Sequence, residues 1–299
     1  MKVTITGSLG NIGRVLIEKL VANGHEVKVV SSNLERIQEI EKMKAIPLIG
    51  SIEDYEFINK SFQGSDAVYL MIPPSFKAID EKQYIKRIGE QYAKAISKNR
   101  IKYVINLSSI GAHIPNGSGA AGARYYVEQQ LNALENVNVL HQRPGMFMTN
   151  FYGAIGMIKH QKKMGNNFDG TVNLTLTHPR DIANAAFNTL HNLSFSGKQI
   201  QYIVSDEKTG FEIAKTLGDA VGKSDVNWVT FSDDELLHAM IQNGFPEPMV
   251  KIYMVEIGVA FRDGGIMMED YNKHKSEAKG GTTLQDFAQE FAVAYQFSN

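Results

Sequence analysis

Short apolar segments alternate with amphipathic segments along the first half of the chain. The apolar segments, which predict strands, lie at 2–5, 26–31, 45–49, 67–72, 103–107 and 137–142. Between them, apolar residues recur at helical spacing and predict helices after residue 12 and at 34–42, 55–62, 82–98 and about 124–134. The run at 67–72 is apolar throughout, which is typical of a strand buried on both faces. Strands and helices that alternate in this way predict a doubly wound parallel sheet of the α/β class.

The alternation loosens after about residue 147. A last strand is predicted at 199–204, after a helix at 181–190, and the chain beyond this strand is predicted to be helical. We interpret Asp181 as the cap of a helix that begins at Ile182.

Two capping patterns mark helix starts in this second half. Ser232 is followed three residues later by Glu235, and Thr283 by Asp286, which is the spacing of a capping box. These patterns predict two helices of a C-terminal helical lid.

The turn between the first strand and the first helix is rich in glycine. It runs Thr-Gly-Ser-Leu-Gly-Asn-Ile-Gly over residues 6–13. Between a strand and a helix, Gly7 permits a tight turn, Gly10 lets the backbone approach a pyrophosphate, and Gly13 lets the helix pack on the strand. The helix N-terminus then offers free N–H groups to the phosphates. The alternative is a tight strand–helix turn that holds no ligand.

We therefore predict an α/β protein with a doubly wound parallel sheet of the Rossmann type and a smaller, mainly helical C-terminal lid. Residues 1–150 are predicted to form the dinucleotide-binding domain. Residues 151–299 are predicted to contribute the remaining sheet elements and the helical substrate or lid region.

The composition excludes several classes of function but does not identify one. The chain has 299 residues, a formal net charge of −1 and no cysteine, so thiolate catalysis and cysteine-ligated metals are excluded. The near-neutral charge gives no reason to expect nucleic acid or an anionic membrane as a partner. The histidines show no metal-ligand spacing. No signal peptide or membrane span is visible, and we expect a cytoplasmic protein of undetermined oligomeric state.

Four segments carry a resemblance to a known family: the turn at 6–13, Leu-Ser-Ser-Ile-Gly-Ala at 107–112, Arg-Pro-Gly-Met-Phe-Met-Thr-Asn at 143–150, and Arg-Asp-Ile-Ala at 180–183. The segment at 282–287 is similar to the closing helix of the same family. The chain resembles the NmrA-like group of atypical short-chain dehydrogenases/reductases. The resemblance implies a Rossmann-type fold that binds NAD(P)H. The group includes reductases of quinones, dyes and small carbonyl or imine compounds, and members that bind the cofactor without known turnover.

The end of the second strand bears on the choice between NADP and NAD. An acidic residue there favours NAD, and a nearby arginine accommodates the 2′-phosphate of NADP. Ser31 stands at the acidic position, and Ser32 stands where similar NADP-binding relatives carry arginine. Arg36 can reach a phosphate, with Ser31, Ser32 and Asn33 as hydrogen-bond donors, and we expect NADP with NAD possible. Alternatively, Arg36 is a solvated residue on the first turn of a helix.

The predicted cofactor contacts lie in the glycine-rich turn and at the ends of later strands. They are Gly7, Ser8, Gly10, Asn11, Ile12, Ser31, Ser32, Asn33, Arg36, Ile72, Pro73, Pro74, Ser108, Arg124, Pro144 and Met146.

Arg124 is the predicted catalytic residue. The wider superfamily uses a Tyr-x-x-x-Lys pair, and the resemblance places Ala120 at the tyrosine position and Arg124 at the lysine position. The usual proton donor is therefore absent. Arg124 can hold a ribose hydroxyl or a substrate oxygen, but it is a poor general acid. A surface arginine paired with Glu128, one turn along the helix, is the alternative.

Other side chains can complete a substrate pocket. Tyr125 or Tyr126 is an alternative proton donor, although at least one of two adjacent helix residues is expected to be core. Candidate pocket walls are Pro73 and Pro74 after the fourth strand, Ser108 and Ser109 after the fifth, and the segment 144–148 after the sixth. The Met146–Phe147–Met148 cluster can equally be core.

Two functions from different classes fit these residues. The first is an NAD(P)H-dependent oxidoreductase that transfers hydride to a small electrophile such as a quinone, a carbonyl or an imine, which needs mainly orientation against the nicotinamide. The second is a non-catalytic regulator that senses NADP(H), which the missing Tyr-x-x-x-Lys pair favours. A sugar-nucleotide epimerase ranks last because it would need the missing tyrosine.

Overall fold

The computed structural model describes residues 1–262, 265–278 and 280–298. Within these ranges the strands are β1 Lys2–Ile5, β2 Glu26–Ser31, β3 Ile46–Ile49, β4 Ala67–Leu70, β5 Tyr103–Leu107, β6 Asn138–Pro144, β7 Met146–Phe147, β8 Lys163–Asn166, β9 Asn173–Thr177, β10 Lys198–Ile203, β11 Asp206–Thr209 and β12 Asn227–Thr230.

The α-helices in the same ranges are α1 Gly13–Ala22, α2 Ile37–Lys42, α3 Tyr55–Phe62, α4 Glu81–Asn99, α5 Gly119–Asn132, α6 Ile155–Gln161, α7 Pro179–Asn192, α8 Gly210–Ala220, α9 Asp233–Gln242, α10 Glu247–Val250, α11 Glu256–Arg262, α12 Glu269–Lys273 and α13 Leu284–Phe297. Short 3₁₀ segments lie at Leu34–Arg36, Met148–Ala154, Ile266–Met268 and Lys275–Glu277, and a π-helical turn lies at Lys251–Val255.

The central sheet has seven parallel strands in the order β3-β2-β1-β4-β5-β6-β10. Val3 of β1 lies opposite Val27 of β2 on one side and Ala67 of β4 on the other. The chain builds outward from β1 in one direction and then returns to build outward in the other. The strand order therefore reverses between β1 and β4, and ligands of such sheets bind in the crevice beyond the carboxyl ends of the strands at this reversal.

Helices cover both faces of the sheet, as the apolar strands require. Leu16 and Ile17 of α1 and Ile182 of α7 pack in the core on one face. On the other face, Ile88 of α4 and Val127 of α5 are fully buried in a second core. The predicted doubly wound sheet is confirmed, and the predicted bounds of β1, β2, β5 and α3 are confirmed as well.

The C-terminal region is less helical than predicted. The strand predicted at 199–204 is present as β10, but it is not the last strand, because β11 and β12 follow it. β11 pairs antiparallel with β9, and β12 pairs parallel with β8. The sequence of β11, Asp-Glu-Lys-Thr, has no apolar alternation, so its pairing with β9 rather than its pattern makes it a strand.

Two predicted helix starts are wrong. The helix predicted from residue 181 begins at Pro179, where His178 caps it by accepting a hydrogen bond at Nδ1 from the N–H of Arg180. Proline at the first helical position accounts for the earlier start. Asp181 therefore does not cap a helix at Ile182. The helix predicted from about residue 124 begins at Gly119, because its small residues pack closely against the lid.

The Asp181 carboxylate instead joins the two halves of the chain. It accepts hydrogen bonds from the Ser205 hydroxyl at 2.6 Å and from the N–H groups of Gly281 and Thr282. Burial alone would raise the pKa of Asp181, but these hydrogen bonds outweigh it and hold the pKa below its usual range. The carboxylate thus fixes the segment that leads into α13.

The predicted capping boxes at Ser232 and Thr283 are confirmed, at the starts of α9 and α13. A third box, Thr209 with Glu212, opens α8. Phe287 and Phe291 of α13 are fully buried against the C-terminal core. No helix in the described ranges is long and apolar enough to cross a membrane.

Candidate functional site at the carboxyl edge of the sheet

The glycine-rich turn lies at the reversal between β1 and β4 and is fastened to the end of β4. The Thr6 hydroxyl donates to the carbonyl of Met71 at 3.0 Å and accepts from its N–H at 2.7 Å. Gly7 has a positive φ of 102°, and a Cβ there would lie 2.5 Å from Cε of Met71. A Cβ on Gly13 would lie 2.1 Å from the carbonyl oxygen of Ser8. Both glycines are therefore required by the packing of the turn itself.

Gly10 differs from the other two glycines of the turn. It is exposed, and a Cβ built on it would have only the Gly7 carbonyl oxygen nearby, at 3.9 Å. Asn11 beside it is also exposed. The packing of the chain does not need a glycine here, so the open space above Gly10 fits the close approach of a pyrophosphate to the backbone.

Arg36 lies at the glycine-rich turn. Its Nη1 donates to the Ser8 hydroxyl at 3.3 Å. The nearby Glu39 carboxylate is instead paired with Arg14. Arg36 therefore contacts the glycine-rich turn, whereas the alternative interpretation has it in contact with solvent alone.

The other residues predicted for the ribose are mostly engaged with each other. The buried Ser31 hydroxyl accepts from the N–H of Asn33 at 3.2 Å, and the Asn33 side chain caps the following 3₁₀ segment. Ser32 is exposed. Among these three residues, Ser32 is the one whose side chain is exposed without such a contact.

Arg124 lies where β4 ends. Its Nη2 donates to the carbonyl of the buried Ile72 at 2.7 Å, whereas its Nη1 is enclosed and has no hydrogen-bond partner. Pro73 and Pro74, next to Ile72, are exposed. The alternative in which Arg124 pairs with Glu128 is wrong, because Glu128 pairs with Arg143.

Glu128 belongs to a buried polar network behind the site. Arg143 of β6 binds its carboxylate with two nitrogens, Nε at 3.0 Å and Nη2 at 2.6 Å, and the Ser108 hydroxyl donates to the same carboxylate. Arg143 also donates from Nη1 to Tyr202 and to Asp270 of α12. Burial would lower the pKa of Arg143, but the contacts with Glu128 and Tyr202 raise it above its usual value.

The segment after β6 supplies the remaining predicted contacts. Pro144 is buried, Met146 and Phe147 are half-buried, and Met148 is fully buried in the C-terminal core. The core interpretation therefore holds for Met148.

Tyr125 and Tyr126, the alternative proton donors, lie on α5. Tyr126 places its ring 5.1 Å from Nζ of Lys86 and packs edge-on against Tyr125.

Two residues beside Arg124 were missed by the sequence analysis. Glu81, in the first turn of α4, is only 2% exposed and accepts from the N–H of Ser75. Tyr253, in the π-helical turn, donates to Oε2 of Glu81 at 3.5 Å. A glutamate on a helix and a tyrosine far along the chain have no spacing that would have linked them to the turn or to Arg124.

These features fit a bound dinucleotide. The turn leaves room above Gly10, Arg36 offers a cation at one end, and the enclosed Nη1 of Arg124 lacks an acceptor at the other. In the part of the chain that the structure describes, no group of three or more His, Asp or Glu side chains is placed to hold a metal ion.

Comparison with protein families identifies one part of the chain. Residues 7–138 match the model of a family described as NAD(P)H-binding. This part of the chain is thus an NAD(P)H-binding domain, in agreement with the geometry of the turn.

Known proteins with this fold include reductases and epimerases. The chain is similar to the Citrobacter sp. triphenylmethane reductase complexed with NADP(H), with 17% identity, a TM-score of 0.77 and coverage of 97% of this chain and 99% of that one. It is similar to an NADPH-dependent quinone oxidoreductase from Escherichia coli complexed with NADPH, with 17% identity, a TM-score of 0.77 and coverage of 96% and 99%. The resemblance to atypical short-chain dehydrogenases/reductases is confirmed for the fold.

A curated relative gives a more distant match. A chloroplast epimerase-family protein of Arabidopsis thaliana is 26% identical over 224 residues, which is 66% of this chain and 64% of that protein. The chain spans less than two thirds of the length of the curated relatives it matches.

Proposed function

We propose that this protein is an NADPH-dependent reductase that transfers hydride to a small electrophile such as a quinone, a carbonyl or an imine. The observation that carries the proposal is the Arg124 guanidinium, held by the carbonyl of Ile72 at the end of β4 with Nη1 enclosed and unpartnered. A buried donor without an acceptor is costly, and a ribose hydroxyl or a substrate oxygen would supply the acceptor.

The chain's own residues would bind and orient the two reactants. The backbone at Gly10 and the N-terminus of α1 would hold the pyrophosphate, and Arg36 the 2′-phosphate. When bound, NADPH supplies the hydride. Arg124 would orient the nicotinamide end against a substrate that lies beside Met146 and the exposed Pro73 and Pro74. Two solved structures with this fold that are complexed with NADPH or NADP(H) support the choice of cofactor.

The lid would limit the access of water to the substrate site. The π-helical turn packs on the start of α5, and Lys82 of α4 forms a 2.7 Å ion pair with Glu256 of α11. Excluding water strengthens the electrostatic contacts of the site and protects the reacting hydride. Substrate would therefore bind between the carboxyl edge of the sheet and the lid.

Arg36→Ala is expected to remove the preference for NADPH over NADH. A hydrogen bond to a charged group contributes about 1.5–3 kcal/mol, so the loss corresponds to about 10- to 100-fold in NADPH affinity with little change for NADH. Calorimetric titration with both cofactors measures the effect. The control is Lys215→Ala, which removes an exposed cation paired with Asp219 on α8. Equal affinity of the unmodified protein for the two cofactors would contradict the assignment of Arg36.

Arg124→Ala is expected to weaken NADPH binding by a similar factor of about 10 to 100 because a charged donor is lost. Arg124→Lys should restore part of the affinity, since lysine keeps the charge but can no longer reach two acceptors with a planar fork. Calorimetry and the KM for NADPH measure both variants. An Arg124→Ala protein with unchanged binding and kinetics would remove Arg124 from the site.

A second candidate function is a sensor that binds NADP(H) without turnover. Ala120, at the tyrosine position of the superfamily, is buried, which supports this alternative. Oxidation of NADPH in the presence of a panel of quinones, aldehydes and imines separates the two functions. The reductase is supported by oxidation that depends on both protein and acceptor, and the sensor by tight NADPH binding with no oxidation by any member of the panel.

A further inference from the structure

Tyr253 lies in the π-helical turn Lys251–Val255 of the lid, directly against the start of α5. A Cβ on Gly119 would lie 2.2 Å from the carbonyl oxygen of Ile252, so the absence of a side chain lets the lid backbone reach the helix. The neighbouring Ala120 stands where the superfamily carries its tyrosine. The lid therefore brings a tyrosine of its own to the part of the site that lacks one. Single π-helical turns occur frequently at functional sites.

The Tyr253 hydroxyl lies near a carboxyl group and a guanidinium that come from different helices. It donates to Oε2 of Glu81 on α4 at 3.5 Å, and it interacts with the guanidinium of Arg124 on α5. Glu81 is almost completely buried, and Arg124 is fixed by the Ile72 carbonyl. A phenol, a guanidinium and a carboxyl group thus meet at the end of β4, where the turn and the lid face each other.

We propose that Tyr253 is the proton donor of this reductase, in place of the tyrosine that is missing at position 120. This inference rests on the proposed function. When bound, NADPH would supply the hydride that adds to the carbonyl carbon with both electrons, and as the C=O π bond breaks the oxygen would take the proton of the Tyr253 hydroxyl. The products are the alcohol, oxidised cofactor and the Tyr253 phenolate.

Arg124 and Glu81 complete the proton transfer. The Arg124 guanidinium stabilises the phenolate, which is the role that lysine has in the Tyr-x-x-x-Lys pair. The Glu81 carboxyl group would relay a proton from solvent to the phenolate through the hydrogen bond that joins the two side chains. The net reaction consumes one NADPH, one proton and one carbonyl compound.

The electrostatics of the cluster are compatible with these roles. Burial raises the pKa of Tyr253 above its usual value, and the charge of Arg124, which lowers the pKa and is opposed by Glu81, does not outweigh this effect, so the hydroxyl keeps its proton until it donates it. Burial also raises the pKa of Glu81, which keeps its carboxyl group protonated to higher pH. Tyr84 is the other titratable group on α4 that faces Tyr253, and burial raises its pKa to about 12. Tyr84 therefore stays neutral while Tyr253 and Glu81 exchange a proton.

The decisive variant is Tyr253→Phe, which removes only the hydroxyl group. For an aldehyde, which needs a proton, kcat is expected to fall by about 10²- to 10⁴-fold, the usual contribution of a positioned acid. For a preformed iminium or triarylmethyl cation, which takes hydride without a proton, kcat should remain within about twofold of the unmodified protein. Tyr295→Phe is the matched control and should leave both rates unchanged. Tyr295 lies on α13, where its ring packs beside Lys159 of α6.

A measurement without turnover accompanies the kinetics. Binding of NADP⁺ places a cationic ring near the site, so ultraviolet difference titration should show one tyrosine ionising at lower pH in the complex. This change should be absent in Tyr253→Phe and present in Tyr295→Phe. Calorimetry should give NADPH affinities for Tyr253→Phe within about twofold of the unmodified protein.

Three outcomes overturn the inference. Equal losses with the aldehyde and the cationic acceptor would make Tyr253 a structural residue of the lid, and no loss with either would leave it without a role. In both cases the unmodified protein still reduces its acceptors, so the proposed function stands. If the unmodified protein reduces neither acceptor, the proposed function and this inference fail together.

Discussion

Gly10→Val is expected to lower NADPH affinity by about 100-fold or more, about 2.8 kcal/mol, while the protein stays folded. The site of the missing Cβ is open, with the Gly7 carbonyl oxygen at 3.9 Å, and φ of Gly10 is not in the left-handed region. The branched side chain would therefore occupy the space left for the pyrophosphate without straining the turn. Calorimetric titration with NADPH measures the loss, and circular dichroism checks the fold.

Gly156→Val is the matched control for this substitution. Gly156 is also exposed, has no atom near its missing Cβ and lies on α6, away from the glycine-rich turn. It should bind NADPH as tightly as the unmodified protein. A Gly10→Val protein that binds NADPH equally well would place the cofactor elsewhere.

Arg143→Met is expected to have the largest effect on stability. Removing one partner of a buried ion pair leaves an uncompensated charge and costs about 3–5 kcal/mol. The side chains of Arg143 and Glu128 are 5% and 3% exposed, and the variant would leave Glu128 with the Ser108 hydroxyl as its remaining side-chain donor. Urea unfolding at neutral pH measures the free energy of unfolding.

A double variant tests whether the pair itself carries this effect. Arg143→Met with Glu128→Leu replaces these two charges by apolar groups and should recover much of the lost stability, because the almost fully buried Glu128 carboxylate is no longer left without its partner. Asp270 is less buried and keeps its hydrogen bond from the Tyr202 hydroxyl. Lys162→Met, which breaks an exposed ion pair with Asp225, is the control and should cost about 1 kcal/mol or less. A single Arg143→Met variant as stable as this control would contradict the account of the network.

Much of the fold follows from local patterns in the sequence. The runs at 26–31 and 103–107 predict β2 and β5 with the observed bounds, because their apolar and β-branched residues favour strands. The capping boxes at Ser232 and Thr283 mark the starts of their helices for an equally local reason. The strand β11, by contrast, has no local signal and exists through its pairing with β9.

The candidate site likewise contains some residues that local patterns predict and others that no local pattern predicts. Gly7, Gly10 and Gly13 lie within one turn between a strand and a helix, and this local context predicts a dinucleotide site. The network of Glu128, Arg143 and Asp270 joins residues up to 142 positions apart, and the contact of Tyr253 with Glu81 joins residues 172 apart. Such contacts depend on how the lid folds back on the sheet, which no spacing in the sequence encodes.

The central claim is that the protein moves hydride from NADPH to a bound acceptor. The most direct measurement uses NADPH carrying deuterium on one face of C4 of the nicotinamide ring, with mass spectrometry of the reduced acceptor. The account predicts that one of the two deuterated forms transfers its label to the product and the other retains it, because a cofactor held at both ends presents one face to the substrate. Product without label from either form, or NADPH bound but never oxidised, would contradict it.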